Sequence, residues 1–79
     1  MAKNEMTYDK KKAIVEIIKW YWETVEKHEA VLGKSEYEFL YDLWENSLEY
    51  YDTKVQSRLN IIRDIYIENH PSKKKTFKL

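Results

Sequence analysis

Cysteine is absent from this 79-residue chain, and glycine and proline occur once each. Without thiols there is no disulfide, no cysteine-bound zinc and no thiol nucleophile. No covalent staple therefore supplements the modest core that so short a chain can bury. Long hydrophobic runs are missing too, since no apolar stretch exceeds three residues, as in Ala30-Val31-Leu32 or Ile65-Tyr66-Ile67. Neither a membrane span nor a signal-peptide core is expected, and the expected location is cytoplasmic. No segment carries a catalytic, metal or nucleotide signature, and no stretch matches the signature of a known family.

Net charge is also lacking: fourteen basic and fourteen acidic side chains cancel. They are nevertheless segregated. Residues 1–22 carry five lysines against three acids, a net of +2, and residues 23–52 carry nine acids against Lys27 and Lys34, a net of −7. Residues 53–79 return to a net of +5. A chain folded back at Gly33 would be acidic at the turn and basic where its termini meet, a charge dipole that matters for steering partners. Lys, Glu, Ile and Tyr are frequent while Arg, Gln and Ala are scarce. That bias fits an AT-rich genome, such as that of a low-GC bacterium, its phages, or a thermophilic archaeon with its viruses.

What is present is helical periodicity. Thr7 is positioned as an N-cap with Asp9 in the first turn. From there Ile14, Ile17, Ile18, Tyr21, Val25, His28 and Leu32 follow helical spacing, which predicts a helix over 8–32 with Gly33 as its left-handed stop. Residues 1–6 have no period and are expected to fray. Ser35-Glu36-Tyr37-Glu38 has the form of a capping box, starting a second helix at residue 36. Its stripe is Tyr37, Leu40, Tyr41, Trp44, Leu48 and Tyr51, and it continues in phase through Val55, Leu59, Ile62 and Tyr66. No Gly, Pro or Asn interrupts it at Asp52-Thr53, so one helix over 36–69 is expected, ending before Pro71. The fold class is thus all-α: an antiparallel helical hairpin, 8–32 and 36–69, dimerising into a four-helix bundle. The alternative is a three-helix bundle broken at 52–53, where Thr53-Lys54-Val55-Gln56 offers another capping box. Residues 1–72 form one helical domain and 73–79 a mobile basic tail.

Each predicted helix has apolar shoulders beside its main stripe. Ala13, Ile17, Trp20, Thr24 and Val31 lie on one side of the first helix, with Val15 and Trp22 on the other. Phe39, Leu43, Tyr50 and Ile61 flank the second. A lone hairpin leaves these wet, which soluble monomers rarely tolerate. A third helix, a second copy or a different protein must cover them. Trp20, Trp22, Phe39, Leu43 and Tyr50 are the expected protein-binding residues, on a surface where Trp and Tyr are the favoured anchors.

Catalytic chemistry finds little support. His28 lacks a second ligand at helical spacing and is expected to be a partly buried, hydrogen-bonded imidazole. His70 reads as a C-terminal residue complementing the helix dipole. Carboxylate pairs such as Glu45 with Glu49 read as solvated surface. The expectation is a non-enzymatic interaction or regulatory protein, of the kind a phage or mobile element uses to inhibit a host protein, with no cofactor and no metal. The alternative is weak, sequence-nonspecific nucleic-acid binding through Lys54, Arg58, Arg63, Lys73, Lys74, Lys75 and Lys78. No helix-turn-helix spacing or RNA-binding aromatic motif accompanies them.

Overall fold

A computed structural model describes residues 3–46 and 49–79, giving only the backbone for Lys3 and Asn4. Three helices dominate: α1 (Tyr8–Glu26), α2 (Lys34–Glu45) and α3 (Thr53–Asn69). Two three-residue strands, β1 (Lys3–Glu5) and β2 (Tyr50–Asp52), pair antiparallel with Asn4 opposite Tyr51. A single 3-10 turn, Pro71–Lys73, follows α3. The class is all-α with one short ladder.

Thr7 caps α1 as its position predicts, its hydroxyl accepting from the Lys10 amide at 3.1 Å. The far end differs from expectation. α1 stops at Glu26 instead of running to residue 32, so it is about 28 Å long at 1.5 Å per residue. The left-handed stop is His28, with φ 56°, and not Gly33, whose φ is −73°. His28 donates its amide to the Val25 carbonyl and Glu29 to that of Thr24, the paired bonds of a Schellman termination. His28 is therefore exposed at a helix end, not half-buried on a stripe.

Gly33 instead precedes α2 as its N-cap, without any side-chain bond. Ser35 does not cap; its hydroxyl donates to the Glu36 carboxylate at 3.0 Å. The helix predicted over 36–69 is two helices. α2 ends at Glu45 with Asn46 as C-cap, and β2 intervenes before α3 begins at Thr53. The break at 52–53 given by the three-helix alternative is where α3 starts. Its cap is Asp52, whose carboxylate accepts from the Val55 amide at 2.9 Å. The stripe position Leu48 lies outside the described residues.

β1 recruits the segment expected to fray. Its ladder with β2 is extended by the Met6 amide donating to the Glu49 carbonyl at 2.7 Å, and Met6 is buried beneath. The core is centred on Ile14 and Ile17 of α1, Leu40 of α2, and Leu59 and Ile62 of α3, all with no exposed surface. Each such side chain contributes roughly 2 kcal/mol of burial. Among the described residues, no helix is long and apolar enough to cross a membrane.

The segment after Pro71 was expected to be a mobile tail, yet it packs. Phe77 stacks on Tyr66 with ring centres 4.7 Å apart, and Leu79 is buried. Lys10, itself buried, holds it in place by donating to Gln56 Oε1 at 2.6 Å and to the main-chain oxygen of Leu79 at 2.7 Å. Its ammonium also lies 4.7 Å from the centre of the Tyr51 ring.

Candidate functional site

The five residues expected to bind protein separate into different environments. Trp20 is only 9% exposed and belongs to the core, its indole edge-on to Tyr66 and His70 at 5.3 Å. Leu43 is buried as well. Neither can anchor a partner, because α3 and the C-terminal segment already cover the shoulder that a two-helix hairpin would leave wet. Phe39 is half-buried, with the Arg58 guanidinium 4.3 Å over its ring. Tyr50, 57% exposed, projects from β2. Trp22 alone belongs to a larger exposed aromatic group.

That group follows from a rotation of α2. Leu40 and Leu43 point inward, while Tyr41 and Trp44, which the predicted seam would bury, stand at the surface. A helix that turns its fully apolar side chains to the core leaves its amphipathic rings at the rim. Tyr37, Tyr41 and Trp44 occupy successive turns of α2, with ring centres 6.1 and 5.7 Å apart. Trp22 of α1 joins edge-on to Tyr37 at 5.3 Å, and its indole N–H donates to the Tyr37 hydroxyl at 3.2 Å. Tyr37 is in turn stacked flat on buried Tyr21 at 4.4 Å, which fixes the strip to the core. Trp22, Tyr41 and Trp44 are 49%, 37% and 44% exposed.

The strip opens at Trp44 into a groove of about 550 Å³. Tyr8, Val15 and Trp44 form its apolar surface, and Lys11, Lys12 and Lys19 rim it. Tyr8, Tyr41 and Trp44 were not among the expected site residues. For Trp44 no sequence signal separates rim from seam, since both lie within one helical stripe.

Three of the seven residues of the nucleic-acid alternative are engaged within the chain. Arg58 lies 3.9 Å from Glu36, and Arg63 pairs with Asp64 at 3.2 Å while donating to Asn60. Lys73 bonds Glu16 at 2.9 Å. Lys54, Lys74, Lys75 and Lys78 are exposed. Lys78 and Lys12 border one cavity, together with the acids Asp9 and Glu16.

A polar cluster supports the Trp20 side of the core. The Glu16 carboxylate accepts from the Tyr66 hydroxyl at 2.7 Å and from Lys73. Burial alone would raise the Glu16 pKa. The two hydrogen bonds and the charges of Lys73 and His70 outweigh it and hold the carboxyl below its ordinary value. The Tyr66 hydroxyl is pushed well above the usual tyrosine range, first by burial and then by its bond to Glu16 and the charges of Glu16 and Glu23. His70 Nδ1 donates to the Tyr66 carbonyl at 2.9 Å, and the imidazole stacks on the phenol. This arrangement holds the end of α3, and its Glu16 also lines the groove of about 550 Å³. Among the described residues, no three His, Asp or Glu side chains converge to hold a metal ion.

No protein family, curated protein or solved structure matches this chain.

Proposed function

We propose that this chain is a small non-enzymatic interaction protein that regulates or inhibits another protein by docking its aromatic surface onto it. One observation carries the reading: Trp22, Tyr37, Tyr41 and Trp44 form a continuous strip of rings across two helices, with three of the four well exposed. Large exposed aromatic patches mark interaction sites, and rigid Trp and Tyr side chains give much contact area for little ordering entropy. Tyr37 stacked on Tyr21 holds the strip ready, which lowers the cost of binding. The composition bias towards Lys, Glu, Ile and Tyr supports an AT-rich source, hence a phage or mobile element acting on a host protein. That last inference is compositional.

The test is site-specific photo-crosslinking in the native host. A benzophenone side chain at Tyr41 should trap one distinct protein, and the same probe at exposed Ile61 on α3 should not. Equal trapping from both positions would remove the reading.

A second reading, weak binding of nucleic acid, is favoured by the exposed lysines Lys74, Lys75 and Lys78 of the C-terminal segment, none of them in an ion pair with a described residue. Replacing Lys74, Lys75 and Lys78 with alanine should then weaken binding to a fluorescent oligonucleotide and flatten its salt dependence. Unchanged affinity would exclude it.

A further inference from the structure

The outward side of α1 carries a column of alternating charge: Lys12, Glu16, Lys19 and Glu23, spaced by four, three and four residues. Lys12, Lys19 and Glu23 are exposed, and none of them forms an ion pair with another described residue. Glu16 bonds Tyr66 and Lys73 through one carboxylate oxygen, Oε2, so Oε1 remains open to a second cation. Beside this column lies the apolar part of the same face, with Val15, Trp22 and, from α2, Trp44.

We propose that this face of α1 pairs with the same face of a second copy, antiparallel, about a two-fold axis level with residues 17 and 18. The proposal rests on the docking reading above and names an occupant for part of that surface. Its warrant is the order of the charges. A two-fold axis perpendicular to two antiparallel helices keeps each edge of one helix against the same edge of the other. Position 12 then meets position 23, and position 16 meets position 19. Lys12 faces Glu23 of the second copy and Glu16 faces its Lys19, and symmetry repeats both contacts. Every level of the column thus meets its opposite. A parallel pair brings Lys12 towards Lys12 and Glu23 towards Glu23, so the pattern selects the antiparallel form.

The apolar edge agrees with this register. Val15 comes level with the interval between Ile18 and Trp22 of the second copy. Lys11 comes beside that Trp22, where its stem covers the indole. The groove between Val15 and Trp44, about 550 Å³, gives the partner's indole a place to enter. Exposed ion pairs contribute little affinity individually, so the rings and Val15 supply attraction while the charges set direction.

Analytical ultracentrifugation of the full chain tests this at low salt. The wild type should dimerise, more weakly as salt rises. Lys12→Glu and Glu23→Lys should each weaken the dimer at least about tenfold, because symmetry makes every reversal count twice. The double variant Lys12→Glu/Glu23→Lys should recover to within about threefold of wild type, a coupling only a direct contact produces. Both changed positions, Lys12 and Glu23, carry exposed side chains, and circular dichroism checks that the variants remain folded. A wild type that stays monomeric up to millimolar concentration overturns the proposal. So does a double variant no tighter than its parents. If the Tyr41 crosslink still traps a host protein in either case, the docking reading stands without the dimer. If charge exchange restores the dimer and no host protein is trapped, pairing stands and docking onto a host protein falls.

Discussion

The Lys10 ammonium donates a 2.7 Å hydrogen bond to the main-chain oxygen of Leu79, sixty-nine residues further along the chain. The same ammonium holds Gln56 and lies over Tyr51. One buried cation thereby joins α1, β2, α3 and the C-terminal segment. A buried charge is tolerated only when its donors are satisfied, so this contact couples the ends of the fold to its core.

Lys10→Met should remove those bonds, leaving Gln56 Oε1 without this donor and the Leu79 oxygen with only the 3.4 Å bond from Gln56 Nε2. The expected loss is about 1–3 kcal/mol, read from urea unfolding. The same variant should admit trypsin at Lys74, Lys75 and Lys78, because Phe77 and Leu79 lose their anchor. Unchanged cleavage would show that aromatic stacking on Tyr66 suffices.

The two tryptophans two positions apart on α1 should respond very unequally. Trp20→Ala empties a core position between Tyr66 and His70 and should cost about 3–5 kcal/mol. Trp22→Ala removes a half-exposed ring and should cost less than about 1 kcal/mol. Thermal or denaturant unfolding separates them directly.

Stability should decline at both pH extremes through the Glu16–Tyr66 pair. The Glu16 carboxyl is held below its ordinary value of 4.5, so its contribution is present above that pH. It is lost as the pH falls through the lower folded value. The Tyr66 hydroxyl is raised above its ordinary value of 10.0, so its contribution is complete below that pH and fades above it. Glu16→Gln should flatten the acid limb below about pH 5, by under about 1 kcal/mol because the carboxylate is partly solvated. Tyr66→Phe should flatten the alkaline limb. Unfolding midpoints across pH 3–11 check both.

His28→Gly should stabilise the chain by about 1 kcal/mol, because a non-glycine residue at φ 56° is strained. Gly33→Ser should change stability by no more than about 0.5 kcal/mol. Gly33 has an ordinary φ, and the atom nearest an added Cβ is the mobile carboxylate end of Glu36. Destabilisation by His28→Gly would mean that the imidazole contributes more than its backbone strain costs.

Local chemistry made several features readable from residues alone. Thr7 capped α1, and Ile14, Ile17, Leu40, Leu59 and Ile62 showed their inward faces through helical spacing. The division of the second apolar stripe was less visible. Tyr51 is the inward residue of a short strand, and its phase happens to agree with a helix continuing to Val55. Only its pairing with Asn4, across nearly fifty residues, tells the two apart. Periodicity reports which residues are apolar at regular steps and says nothing of a ladder formed with a distant segment.

The candidate surface divides in the same way. Exposed aromatic surplus could be inferred from composition and spacing, since two helices cannot hide so many rings. Which rings stay outside was settled by three-dimensional packing: α3 and the C-terminal segment enclose Trp20, and the rotation of α2 buries Leu43 while turning Trp44 outward. The amino-acid order by itself determined helix formation, the Thr7 cap and the charge column on α1, because these depend on residues within one or two turns. The chain ends, the strand pair and the aromatic strip were decided only by tertiary structure, because each depends on side chains brought together from distant positions to satisfy one buried core.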